Sequence, residues 1–339
     1  MKSQRTIKGR FSLTGIDPAG GNPVYVTFSP LDSDSGIWFS TKRGRLPFKK
    51  EHIRTTRSIA ISQSMILSDG RTGFMNIEHP LATFMAYEID NIEVYLDREL
   101  SLSSRLLRPL GKAKRIEIFP NIPFLQRSLC DMIEDVGLEE QEGTVRKLRM
   151  NVEAFESEDG RLKFERLEGD ELRVRAFTQY VLRNGDIVRG EREIALNPRD
   201  YREIACARAF CGAALKPPRG YSEGSRKTGL LHGAPVWLPK DVMKFIGKFL
   251  YLSYGLGHGM DETYIFYPAS SERKWRENEI IRDEIAAHTC IDRGGDVFAV
   301  LQATYDARPA GIRVTSRFAS HRNAYETVRE NLDKFEVVD

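Results

Sequence analysis

Glu78 and His79 stand side by side in "MNIEHPLATFMAYEIDN", residues 75–91. A carboxylate next to an imidazole at the head of an apolar stretch has two readings. One is a solvated helix start. The other is a metal site, with His79 as ligand and Glu78 as the base beside the metal. His288 and Asp292 stand four apart in "HTCIDRGGD". On a helix that spacing puts both side chains on one face, one turn apart. Zinc accepts one imidazole nitrogen and one carboxylate oxygen from such a pair at about 2.0–2.2 Å. An ordinary His–Asp contact is the alternative, since the chain has 6 histidines. With His79 as third ligand, two nitrogens and one carboxylate leave a position open for water, as in catalytic zinc sites. Glu78 then stands where it can take a proton from that water. His321 would be a free imidazole, suited to protonate a leaving amine. Together these roles describe a metal hydrolase.

The elements that must position these residues are legible as patterns. "PVYVTFSP" alternates Val24, Val26 and Phe28 against Tyr25, Thr27 and Ser29, which predicts a strand. "IWFS" and "SIAISQSMIL" read as further strands with turns between them. From His79, helical spacing takes over through Leu81, Phe84, Met85 and Ile89, and "IDNIEVYLD" returns to strand. "IPFLQRSLCDMIEDVGL" is an amphipathic helix with Phe124, Leu125, Leu129, Met132 and Ile133 on one face and Gly137 as its stop. The charged stretch from Glu139 marks a domain boundary, giving domains of 1–142 and 143–339. The second half again opens with strands: "KLRMNVEAF", "LKFERL", "LRVRAFTQYVL" and "IVRGEREIAL". "DYREIACARAF", 200–210, reads as a helix or the start of one. A long helical pattern from Glu277 is interrupted by Gly294 and Gly295, and a final helix begins near Ser320 or His321. Strands first and helices later, twice over, predict an α+β fold of layered sheet and helix.

Composition excludes several classes. The 339 residues suit about two domains. With 41% apolar and 29% charged residues, each half can bury a core. A net charge of +3, from 51 basic against 48 acidic residues, is too balanced for a protein that coats nucleic acid. Cys130, Cys206, Cys211 and Cys290 have no metal-knuckle spacing and read as free buried thiols of a reducing compartment. The basic N-terminus has no apolar core of a signal peptide behind it. No stretch approaches the ~18 apolar residues of a transmembrane helix. A cytoplasmic protein is expected.

At this point the chain resembles the bacterial UDP-3-O-acyl-N-acetylglucosamine deacetylases, zinc enzymes of lipid A synthesis. The resemblance runs in order along about two-thirds of the chain. "QRTIKGRFSLTG" and "DSGIWF" are similar to the family's opening strands, and "IEHPLATFMAYEIDN" to its glutamate–histidine helix. "IPFLQRSLCDMIEDVGL" resembles the end of its first domain. "ARAF", 207–210, resembles its Ala-Arg-Thr-Phe motif. "HTCIDRGGD" resembles its His-Lys-x-x-Asp-x-x-Gly-Asp motif, and "SHRNAYETV" its Gly-His motif. The resemblance implies two similar α+β domains, with helices packed face to face and the site at the domain interface. It implies His79, His288 and Asp292 as zinc ligands and Glu78 as general base. It implies His321 as the charged histidine that protonates the leaving nitrogen, with Asp296 holding it. Phe210, Arg208, Ala209 and Thr289 fall at substrate-side positions. The implied partner is an acylated nucleotide sugar.

Three positions depart from the family pattern. The threonine that helps polarise the amide carbonyl is Ala209 here, and losing one such donor typically costs ~10²–10³-fold. The lysine that serves the substrate's phosphate end is Thr289. The histidine of the family's N-terminal turn is replaced within "TGIDPAGG". Cations that could replace the lysine are Arg208, Arg293, and Arg226 and Lys227 of an insertion near 213–250. An apolar face there, through Trp237, Leu238, Val242, Phe245, Ile246 and Phe249, is a candidate wall for an acyl chain or simply a packed helix. The basic "KRGRLPFKK", 42–50, and His52, His232 and His258 carry no assigned role. The expected activity is N-deacetylation of a UDP-3-O-acyl-glucosamine-type sugar. The alternatives are the same chemistry on another N-acyl sugar, or a ligand-binding relative without turnover.

Overall fold

The computed structural model describes residues 2–16, 23–55, 65–98, 116–119, 123–182, 187–211, 215–216, 263–265 and 279–338. The architecture is α+β, with several sheets and with helices that pack on them and on one another. A five-stranded sheet runs in the order Phe11–Ile16, Pro23–Pro30, Ile92–Arg98, Ile37–Thr41, Gly44–Pro47. The expected alternation holds in Pro23–Pro30. Val24, Val26 and Phe28 are buried and Tyr25 is exposed. Thr27 departs from it and is buried too, because its hydroxyl pairs across the strands with Ser12 Oγ at 2.8 Å. Phe28 then meets Phe84 edge to face, with centroids 6.3 Å apart, and so joins the sheet to the helix that carries Glu78 and His79.

That helix, α1, spans Glu78–Tyr87, and all ten of its residues are buried. A helix covered on every side has no polar face, which is why the sequence shows helical spacing but little amphipathicity. A short strand, Gly73–Met75, feeds it through Asn76 in the left-handed region, φ 62°. Helix α2, Pro123–Val136, packs against α1 with Leu129 and Ile133 buried, and Gly137 at φ 78° ends it as expected. The charged stretch after it is ordered. Leu138–Val145 is a strand, antiparallel to Lys2–Ile7.

A second sheet has the order Ala154–Glu156, Leu162–Arg166, Ile312–Arg317, Leu172–Leu182, Ile187–Ala195. Helix α3, Pro198–Ile204, follows, capped by Asn197, whose side chain accepts the Asp200 N–H at 2.9 Å. Of the two readings of "DYREIACARAF", a helix or a helix-start, the structure shows the second. Ala207 ends its turn, and Ala209–Cys211 is a strand parallel to Thr263–Ile265. Helix α4, Glu284–Arg293, lies across the strands Leu172–Leu182 and Ile187–Ala195.

Gly294 and Gly295 do not interrupt the helix. The chain continues as a π-helical stretch, Gly294–Ala299, and then as α5, Val300–Tyr305. The reason these residues are glycines is packing. A Cβ on Gly295 would overlap the Glu78 backbone carbonyl, and one on Gly294 would press Leu196 at 3.3 Å and Ala82 at 3.4 Å. The two glycines let α1 and the α4–π helix cross backbone to backbone. Helix α6, His321–Glu330, starts at Ser320 with a full capping box to Asn323.

The insertion near 213–250 lies outside the described residues except for Leu215–Lys216. So do its candidate acyl-chain wall, Arg226, Lys227, His232 and His258. Among the described residues, no helix is long and apolar enough to cross a membrane.

Candidate functional site

Where α1 crosses α4 and the π-helical stretch, six polar side chains meet. Glu78 and His79 open α1. His288 and Asp292 lie on successive turns of α4, and Asp296 lies on the π stretch. His321 is the first residue of α6. The crossing brings residues more than 200 positions apart into contact. His79 Nε2 is 3.1 Å from Asp292 Oδ1, and His288 Nε2 is 3.4 Å from the same oxygen. One ligand atom from each of these three lies within 4.8 Å of the others. A tetrahedral ion with bonds of about 2.0–2.1 Å sets neighbouring donors about 3.3 Å apart. The two measured separations straddle that value, so the donor set fits zinc.

His288 is held from behind, whereas His79 Nδ1 is buried without a hydrogen-bond partner among the described residues. His288 Nδ1 donates to the Ala207 carbonyl at 3.0 Å, which fixes the tautomer and turns the Nε2 lone pair inward. Ala207 is itself held by its neighbour. The Arg208 backbone N–H donates to Glu284 Oε1 at 3.0 Å, and its guanidinium makes further bonds to Glu284 at 2.7 and 2.9 Å. The His79 carbonyl accepts from the hydroxyls of Thr83, at 3.2 Å, and Tyr201, at 3.4 Å. Helix α3 thus braces α1 beside the site.

His321 faces the group from the other side. Its Nδ1 lies 2.8 Å from Asp296 Oδ2, and its Nε2 lies 3.7 Å from Asp292 Oδ2. Burial opposes a charge on this ring, but Asp296 and Asp292 outweigh it and push its pKa up to about 9. Burial pushes the Glu78 carboxyl up, although His321 and His79 pull the other way. Among the described residues its buried Oε2 has no hydrogen-bond partner, so an acceptor beside the donor group is unused. Burial also opposes the charge on Asp292, yet the three surrounding histidines hold it far below the usual carboxylate range. Burial lowers His288 and favours the neutral form that a metal needs. On His79 burial works the same way, but Asp292 and Glu78 overcome it and raise its pKa. The carboxylates therefore attract positive charge to the point where the donor atoms converge.

The substrate-side positions fare differently. Thr289 is buried, and its hydroxyl turns back to donate to the Ile285 carbonyl of its own helix at 3.0 Å. Arg208 is 4% exposed and engaged by Glu284. Arg293 is equally buried, bonded to Asp296 and to the Ala319 carbonyl. Ala209 and Phe210 lie in the strand Ala209–Cys211, with their side chains outside the described residues. His52 is half-buried in a 3-10 turn, Lys50–His52, and belongs to neither cluster of converging donors. The basic "KRGRLPFKK" borders a cavity of about 900 Å³ at the other end of α1, near Met85 and Asp90. Sequence reasoning missed Glu284, Thr83 and Tyr201. Glu284 had a signal, since it begins a run of acidic and imidazole side chains at four-residue steps through His288 and Asp292 to Asp296.

The chain is 30% identical over 164 residues to the UDP-3-O-acyl-N-acetylglucosamine deacetylase of Aliarcobacter butzleri (strain RM4018), covering 47% of this chain and 46% of the relative. It is 37% identical over 98 residues to the enzyme of that name from Helicobacter hepaticus (strain ATCC 51449 / 3B1), covering 28% and 31%. It is 24% identical over 213 residues to the one from Chlamydia trachomatis serovar L2, covering 62% and 66%. The chain thus spans from about a third to about two-thirds of the length of these curated relatives. The sequence pattern of the UDP-3-O-acyl N-acetylglycosamine deacetylase family matches residues 4–216. That stretch carries Glu78, His79 and Arg208, and the fold brings His288, Asp292, Asp296 and His321 to them. With more than half of its length matched, this chain belongs to the UDP-3-O-acyl N-acetylglycosamine deacetylase family.

Proposed function

We propose that the chain is a zinc-dependent amide hydrolase that removes the N-acetyl group from a UDP-3-O-acyl-glucosamine-type sugar, a step of lipid A synthesis in the cytoplasm. The observation that carries this reading is the convergence of His79, His288 and Asp292 donor atoms within 4.8 Å, with Glu78 and His321 alongside. Family membership supports the same reaction.

His79, His288 and Asp292 would hold the ion. Zinc supplies Lewis acidity toward an amide carbonyl and makes a water acidic enough to ionise near neutral pH. The remaining work falls to this chain's own residues. Glu78, raised by burial, accepts a proton from the attacking water. The water oxygen bonds to the amide carbon, and charge develops on the carbonyl oxygen. His321, kept protonated by Asp296 and Asp292, stabilises that charge and passes its Nε2 proton to the leaving nitrogen. The C–N bond breaks to give acetate and a free amine. Asp296 anchors Nδ1, so Nε2 is the nitrogen that faces the reaction.

A second reading keeps this chemistry on a different N-acyl sugar. Three observations favour it: Thr289 donates to Ile285, Arg208 is tied up with Glu284, and Arg293 is buried. None of the three is poised for a diphosphate as the family's lysine is. Assay of acetate release from a panel of N-acyl sugars, with and without a nucleotide, separates the two readings. Release from none of them would refute both.

A further inference from the structure

Arg293 stands at a position that the family's His-Lys-x-x-Asp-x-x-Gly-Asp motif leaves open, yet it is one of the most buried cations among the described residues. Its side chain does two things. Nη1 donates to Asp296 Oδ2, the same carboxylate oxygen that His321 Nδ1 approaches at 2.8 Å. Nη2 donates to the Ala319 carbonyl at 3.0 Å. Ala319 immediately precedes Ser320, the capping residue of α6, and His321 is the helix's first residue. A single guanidinium therefore ties the carboxylate on the π-helical stretch to the backbone that delivers the histidine.

We infer that Arg293 is a positioning residue for the general acid, locking the Asp296–His321 pair by bridging its two supporting segments. This rests on the proposed function for its kinetic consequence, but its geometry does not depend on that function. Asp296 is 1% exposed, and an isolated buried carboxylate is costly unless paired and hydrogen-bonded. His321 supplies only part of that pairing. The planar fork of arginine serves two acceptors at fixed spacing, whereas a lysine is a point charge that reaches one of them well. Without Arg293, Asp296 loses a partner that fixes its orientation, and the carbonyl of buried Ala319 loses the donor it has among the described residues. The imidazole then has a looser seat, while the zinc donors His79, His288 and Asp292 keep theirs.

The test uses the full chain with ¹⁵N-labelled histidine, loaded with zinc. The His321 Nδ1–H should give a slowly exchanging ring signal, identified by its loss in His321→Gln. Arg293→Met should keep bound zinc, lose or broaden that signal, and lower kcat by about 10–100-fold, the usual cost of removing a supporting partner, with KM unchanged. Arg293→Lys should retain the signal and recover part of kcat. An unchanged signal in Arg293→Met overturns the inference, whatever kcat does. So does a lost signal with unchanged kcat. If Arg293→Met does not fold, Arg293→Lys decides: kcat between wild type and His321→Gln supports the bridge, and wild-type kcat refutes it. If the unaltered protein turns over none of the N-acyl sugars, the proposed function has failed, and the ring signal alone decides the inference.

Discussion

Gly295 meets the backbone of Glu78 with no room for a methyl group between them. The contact is a close approach of α1 to the α4–π helix. It sets the distance across which His79 reaches Asp292 and His288.

The first prediction concerns this crossing. Gly295→Ala must push two backbones apart, because the atom in the way is a carbonyl and not a flexible side chain. Overpacking of this kind costs about 1–3 kcal/mol and occasionally more. Gly294→Ala meets only the Leu196 methyls and Ala82 Cβ at 3.3–3.4 Å, and alanine gains about 1 kcal/mol of helix propensity over glycine. Denaturant unfolding should show Gly295→Ala strongly destabilised and Gly294→Ala close to wild type. Equal effects would remove the crossing from the account.

The second prediction separates proton transfer from metal binding. Glu78→Ala and His321→Ala should retain zinc and lose about 10²-fold or more in turnover, the scale of a positioned acid or base. Full activity in Glu78→Ala would contradict the mechanism.

The third prediction concerns pH. Glu78 must be ionised to accept a proton, so activity falls on the acid side, and Glu78→Ala removes that limb. His321 must be protonated to donate one. Its pKa is raised to about 9 by Asp296 and Asp292 against the effect of burial, so activity is full at neutral pH and falls as pH rises through about 9. The same sign holds for stability. The contribution from this raised histidine is complete below its unfolded value of about 6.5 and is lost on the way up to about 9. A pH–rate profile with its basic limb near 7 would contradict the pairing of His321 with Asp296.

Most of the fold was legible because its signals are local. The strand alternation, the switch to helical spacing after His79 and the glycine stop at Gly137 are each contained within a few residues. The His288–Asp292 pair of α4 showed itself by its four-residue spacing. What stayed hidden was long-range. Nothing near Glu284 announces Arg208, 76 residues away. Nothing in "HTCIDRGGD" distinguishes a glycine that breaks a helix from one that lets another helix touch it. Asn91, in the "IDN" stretch, gave no hint of its work. Its side chain bonds Gln4 at 2.8 Å, Gln141 at 2.7 Å and the Gly36 N–H at 2.7 Å, pinning three distant segments. Arg293 was read as a candidate to replace the family's lysine, and only the packed structure shows it engaged by Asp296 and Ala319.

A fourth prediction addresses substrate choice. The acylated nucleotide sugar should be cleaved more slowly than the ~10 s⁻¹ ordinary for enzymes. Thr289→Lys with Ala209→Thr should raise that rate by adding a phosphate contact and a carbonyl donor. A lysine at 289 can carry its charge out of the buried position along its flexible stem. Turnover of the unaltered protein at the ordinary rate would show that neither position limits it.

The most direct test of the central claim is metal content. Elemental analysis of the purified protein should find about one tightly bound zinc per chain, as three protein ligands and an open position imply. His79→Ala, His288→Ala and Asp292→Ala should each lose it, while Glu78→Ala and His321→Ala should keep it. Zinc retained at full stoichiometry in His288→Ala, or none bound by the unaltered protein after loading, would contradict the assigned site.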